Sequence, residues 1–139
     1  MDYLTKWPEA KAIPDASANV AAQFIYEDII CRHGCPKELL SDRGTTFFNE
    51  TIRQLCLNHG IKHRLLSPYH TQTNGLVERF NRTLCQSLAK YVDLVQHDWD
   101  KYIPAVLFAY RTMKQDSIYF ELFILTYGHI AVTLLDLTL

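Results

Sequence analysis

Two carboxylates stand where phosphoryl-transfer chemistry would need them. Asp42 follows the run Glu38-Leu39-Leu40-Ser41 and precedes Arg43-Gly44, the pattern of a buried strand ending in a turn. Open α/β sheets place their chemistry at such carboxyl ends. Glu78 follows thirty-six positions later, inside the stretch Leu66 to Arg82, LSPYHTQTNGLVERFNR. An acid from a strand end and an acid from a helix start can share a hard divalent ion, and paired ions hold the attacking and leaving oxygens of a phosphodiester in line. Glu78 also has a plainer account. An acid in the first turn favours the helix dipole, and Glu78 with Arg82 makes an i,i+4 pair worth a few tenths of a kcal/mol.

The elements that must position these acids are legible in the apolar spacing. Ser67, Pro68, Thr71, Gln72, Thr73, Asn74 and Gly75 have the composition of a loop, and Asn74 is the expected cap of the helix that follows. Val77, Phe80, Leu84, Leu88 and Tyr91 then recur at steps of three and four, leaving Glu78, Arg79, Arg82, Gln86 and Lys90 on the other side. Upstream, Met1–Thr5 and Glu9–Ile13 read as a hairpin around Trp7-Pro8. Ser17 or Asn19 caps a helix carrying Val20, Phe24, Ile25 and Ile29 that ends at His33-Gly34. Lys37–Ser41 is the buried strand, Phe48–Asn58 a helix closed by Gly60, and Ile61–Leu65 a short strand. Asp98 opens a helix through Trp99, Ile103, Val106, Leu107 and Tyr110 that tolerates Pro104 in its first turns. Alternating strands and helices define an α/β class.

A chain of 139 residues, 48% apolar, makes one domain with a core and has no stretch long enough to cross a membrane. The first residues lack the pattern of a secretory signal, so the expected compartment is intracellular. Cys56 and Cys85 fall on apolar helical faces, and disulfides are not expected. Cys31, His33 and Cys35 are too closely spaced for a zinc site, and no zinc is expected. The net charge of -1 argues against a strongly basic nucleic-acid binder. The segment 62–90 is different, with Lys62, Arg64, Arg79, Arg82 and Lys90 against the single acid Glu78. That patch suits phosphate contact or an ordinary solvated helix face.

The motifs SDRGTTFF around Asp42 and SPYHTQTNGLVERFNRTL around Glu78 resemble the catalytic core of retroviral and LTR-retrotransposon integrases, especially the Ty3/Gypsy-like branch. The resemblance extends back through HGCPKELLSDRG to DYLTKWPEAKAIP and forward to WDKYIPAVLFAYRT, so it covers about residues 2–115. It implies an RNase H-like fold, a mixed sheet flanked by helices, with residues 1–115 as the core and 116–139 as a divergent extension of it. It also implies DNA 3'-end processing and strand transfer on a two-metal site of Mg2+ or Mn2+, with Asp42 and Glu78 as catalytic and metal-binding residues. Lys62, Arg64, Gln72, Asn74, Arg79, Arg82, Gln86 and Lys90 become DNA-binding candidates. DNA ends and target DNA are the implied partners, together with further copies of the chain and no membrane. The implied compartment is nuclear where the host is eukaryotic.

The sequence departs from the family pattern in three places. The family's first catalytic aspartate lies on a strand ahead of the DYLTKW-like one, so Asp2 is not its match, and the expectation is a core whose first strand is missing and which is inactive by itself. Thr71 stands where the family has a proline. Leu122-Phe123, Tyr127-Gly128-His129 and Leu134-Leu135 replace Pro-Phe, Tyr-Gly-Arg and Leu-Pro. A rival expectation, from another class, is a non-catalytic remnant or domesticated module that keeps the fold for DNA or protein contact. A purely structural α/β domain is a third.

Overall fold

Ser17 has extended backbone and its hydroxyl accepts the Val20 N–H at 3.4 Å, which starts helix α1 (Ala18–Phe24) at one of its two expected caps. A computed structural model describes residues 1–66, 71–91, 98–115, 120–129 and 131; the side chains of residues 71–74 and 91 lie outside that description. The chain divides into two compact units, Lys11–Arg79 and Met1–Ala10 with Phe80–Leu139.

In the Lys11–Arg79 unit, α1 continues through a wider π-helical segment, Ile25–Ile30, into the short α2 (Cys31–His33), which stops at Gly34. Strand β1 (Glu38–Ser41) pairs in parallel with β2 (Lys62–Leu65), Leu39 opposite His63 and Ser41 opposite Leu65. A parallel pair needs a crossover, supplied here by α3 (Glu50–His59). Asn49 caps α3 by accepting the Ile52 N–H at 2.9 Å, and Gly60, at φ 65°, takes the left-handed conformation that closes it at little steric cost.

Because side chains alternate along a strand, the sheet has two unlike faces. Leu39, Ser41, His63 and Leu65 are buried or half-buried, whereas Glu38, Leu40, Lys62 and Arg64 are exposed. The strand expected to be buried is half-buried, since one of its faces is open among the described residues. Ala21, Ile25, Ile52, Cys56 and Ile61 form the core of this unit, with Phe24, Leu39, Phe47 and Leu55 packed on it. Burying a side chain such as Ile52 stabilises by roughly 1.5–3 kcal/mol.

The other unit is helical. It holds most of α4 (Thr71–Tyr91), a 3-10 turn Trp99–Tyr102 running into α5 (Ile103–Thr112), and α6 (Leu122–Tyr127). Phe80 and Leu88 are buried, Leu84 is half-buried and Val77 is exposed. Ile103, Val106 and Leu107 are the buried side of α5, and Leu122 that of α6.

Two further expectations are corrected. No hairpin forms at the amino end; a tight turn takes its place. Asp2 Oδ1 accepts the Thr5 N–H at 2.7 Å and the Thr5 hydroxyl at 2.8 Å, the Asp2 carbonyl accepts the Lys6 N–H, and Lys6 is turned to φ 66°. An aspartate that satisfies nearby backbone offers the chain an alternative to a ladder. The second correction concerns α4, which begins at Thr71, so Asn74 is inside it and Glu78 lies beyond its first turn. No proline interrupts residues 71–75, and Gly75 costs only ~1 kcal/mol against Ala. Gly75 thus weakens the helix without stopping it.

Candidate active site

Asp42 is the first residue past β1, where the chain leaves the sheet. Its Oδ1 accepts the Gly44 N–H at 2.9 Å, a local turn that pins an exposed carboxylate. A Cβ added at Gly44 would lie 3.0 Å from that same Oδ1, so glycine gives the carboxylate its room. The Gly44 carbonyl then accepts the Phe48 N–H at 2.8 Å and turns the chain toward α3. The Asp42 carboxylate is thus held by backbone while remaining in water.

Behind it, Ser41 is buried and its hydroxyl lies 3.0 Å from the Asp42 carbonyl and 2.8 Å from His63 Nε2. Ser41 and His63 lie diagonally across the parallel pair on the core face. Desolvation holds the His63 pKa below its ordinary value, which favours a neutral ring. Residue spacing does not single out this pair. Its trace in the sequence is a serine and a histidine at inward positions of two alternating strands.

Glu78 is exposed on α4, in the same compact unit as Asp42. Among the described residues, no group of three or more His, Cys, Asp or Glu side chains is placed to hold a metal ion. Asp2 is occupied elsewhere. Burial pushes its pKa up, and the Thr5 hydrogen bonds outweigh that, leaving it below the usual carboxylate range.

Of the basic and amide candidates, Arg79, Arg82, Gln86 and Lys90 are exposed on α4 and Lys62 on β2. Arg64 is paired with Glu38 at 3.1 Å, across the open face of the sheet. The side chains of Gln72 and Asn74, and residues 67–70 with His70, lie outside the described residues. Cys56 is buried and desolvation pushes its thiol pKa up; Cys85, expected on an apolar face, is exposed. Among the described residues no helix is long and apolar enough to cross a membrane.

A parallel β-α-β unit with an acid at the strand's carboxyl end defines the class, and comparison with known proteins gives the family. The family model described as the TnsB C-terminal domain matches residues 16–94. The retrovirus-related Pol polyprotein from transposon 412 of Drosophila melanogaster is 34% identical over 111 residues, 80% of this chain and 9% of that protein. The crystal structure of the catalytic core domain of BIV integrase superposes with a TM-score of 0.73 and 26% identity, covering 89% of this chain and 80% of that one. The HTLV-2 integrase catalytic core domain, solved in complex with magnesium in a trimeric form, superposes with a TM-score of 0.66 at 20% identity, covering 81% of this chain and 72% of that one. The chain belongs to the family of the TnsB C-terminal domain, and it resembles the integrase catalytic cores of retroviruses and retrotransposons. Its fold is the RNase H-like α/β fold of those cores. It spans 9% of the length of the transposon polyprotein it matches.

Proposed function

We propose that this chain is the catalytic-core part of a retrotransposon-type integrase, acting in DNA 3'-end processing and strand transfer, with Asp42 and Glu78 as its metal-binding carboxylates. The observation that carries the reading is Asp42 itself: an exposed carboxylate at the carboxyl end of β1, aimed by the Gly44 N–H, in a chain of this family.

The donor chemistry fits a hard divalent ion such as Mg2+ or Mn2+, because both acids are exposed and such ions take oxygen ligands. Among the described residues no third donor joins them, and two carboxylates by themselves hold an ion weakly, so the affinity expected is low. A bound ion would polarise the water or DNA 3'-hydroxyl that attacks the phosphodiester. Asp42 stands in solvent and takes its orientation from Gly44. Arg79, Arg82, Gln86 and Lys90 present donors along α4, and with Lys62 they are proposed to contact DNA phosphates. Arg64 contributes less, since Glu38 already neutralises it. Gln72 and Asn74 are proposed as DNA contacts on the resemblance alone. Assembly with further copies of the chain, and action in the nucleus of a eukaryotic host, belong to the same proposal.

The lack of a third metal donor among the described residues favours a second reading, a DNA-binding module without catalysis. Joining of DNA ends by the purified chain with Mn2+ separates the two. Activity lost on Asp42→Asn supports the enzyme. Salt-sensitive DNA binding without joining supports the module, and neither activity nor binding defeats both.

A further inference from the structure

Ser41 has one hydroxyl proton and two short contacts, and the way they are satisfied decides what the residue does. If the hydroxyl donated to His63 Nε2, its oxygen would face the Asp42 carbonyl oxygen at 3.0 Å with no proton between them. The opposite assignment satisfies every group: His63 Nε2–H donates to Ser41 Oγ, and Ser41 Oγ–H donates to the Asp42 carbonyl. The chain of donors runs from the middle of β2 to the main chain at the end of β1, where the strand gives way to the turn. Asp42 is then held twice, at its carbonyl by Ser41 and at its carboxylate by Gly44.

We propose that Ser41 and His63 are positioning residues for Asp42: the relay from His63 through the buried Ser41 fixes the Asp42 peptide and so aims its carboxylate at the divalent ion. Neither side chain is assigned as a ligand of the ion. A serine alone would satisfy its hydroxyl against its own neighbouring carbonyl whichever way the turn pointed. The contact from β2 ties the turn to the sheet, so the orientation of the carboxylate inherits the rigidity of the parallel pair. Hydrogen-bond partners behind a metal-binding side chain act in this way, and losing one typically costs about 10–100-fold in affinity.

The proposal rests on Asp42 being a metal-binding carboxylate, and the test reads the two claims separately. In the metal-free chain, hydrogen exchange of the Gly44 amide reports whether the Asp42 turn is held. Ser41→Ala and His63→Leu should accelerate it about tenfold, the equivalent of one lost net hydrogen bond, and leave the Ile52 amide of α3 unchanged. Ser41→Thr keeps the hydroxyl and His63→Gln keeps an N–H near the Nε2 position, so both should stay within about twofold of the parent. With Mn2+ added, Ser41→Ala and His63→Leu should bind it about tenfold more weakly and the conservative variants should bind as the parent does. Each pair decides independently, so a variant that fails to fold leaves the other pair to decide. Unchanged Gly44 exchange in Ser41→Ala, equal acceleration at Ile52, or no rescue by His63→Gln overturns the proposal. If Asp42→Asn binds Mn2+ like the parent while Gly44 exchange responds as described, the metal reading falls and the positioning of Asp42 stands.

Discussion

Arg111 and Asp42 are both charged, and their surroundings are opposite. In the unit that contains the amino end, Arg111 is paired with Glu9 at 2.9 Å, with only 12% and 8% of the two side chains exposed. The same guanidinium donates to the Pro8 carbonyl and lies 4.3 Å from the centroid of the Trp7 ring, while Trp7 Nε1 donates to Glu9. Trp7 in turn packs against Phe123 and Tyr127. In the Lys11–Arg79 unit, Asp42 is held by neighbouring backbone and stands in water. Buried charges are locked by one another and serve the packing. An acid proposed to meet a divalent ion must be oriented without being neutralised, and at Asp42 a local turn orients the carboxylate.

The largest expected effect falls on the buried pair. Arg111→Ala takes the guanidinium away from the buried Glu9 carboxylate, leaving it the Trp7 N–H, and should cost about 3 kcal/mol of stability in urea unfolding. Asp42→Asn, which keeps an oxygen for the Gly44 N–H, should stay within about 0.5 kcal/mol of the parent. A similar loss for both would erase the contrast. Gly44→Ala comes next. The added Cβ meets Asp42 Oδ1 at 3.0 Å, so Mn2+ affinity should fall while stability drops by on the order of 1 kcal/mol. Unchanged metal binding would show that the turn does not aim the carboxylate.

Smaller effects are expected on DNA. Replacing Arg79 and Arg82 with Ala should weaken binding about equally on unrelated duplexes and flatten the slope of log affinity against log salt by about two units. The same change at Lys101 and Lys114 should do little, and equal losses from the two double variants would remove the α4 patch from the account. Least of all is the effect of pH through His63. Its folded pKa lies below the unfolded value of about 6.5, so the unfolded chain takes up the proton first and stability falls as the pH drops below about 6.5. His63→Gln should reduce that slope between about pH 7.5 and 5.5, measured from urea midpoints. A slope unchanged by the substitution would place the titration elsewhere.

Local chemistry makes much of this molecule legible in its sequence. Ser17 and Gly60 bound the helices they were expected to bound, because a cap hydroxyl and a left-handed glycine act on their own neighbours. The apolar spacing of α5 places Ile103, Val106 and Leu107 in the core, and the strand ending at Asp42 is visible from a short apolar run meeting Arg43-Gly44. Where two local preferences compete, the spacing misleads. Residues 1–5 have strand-like composition, yet the Asp2 side chain satisfies Thr5 and closes a turn. Asn74 is a favourable cap, yet nothing between Thr71 and Gly75 forbids a helix, and α4 runs through it.

Whatever depended on partners distant in sequence was decided by the tertiary structure. Arg111 reaches the Pro8 carbonyl and Glu9, and His63 reaches Ser41, across separations that no periodicity encodes. The types and order of the residues determined the α/β class and the resemblance to integrase cores, since these follow from neighbours along the chain. Which face of β1 is buried, which arginine is neutralised and which histidine stands behind Asp42 followed only when the parallel pairing set β2 beside β1, because register brings side chains into contact and sequence distance does not.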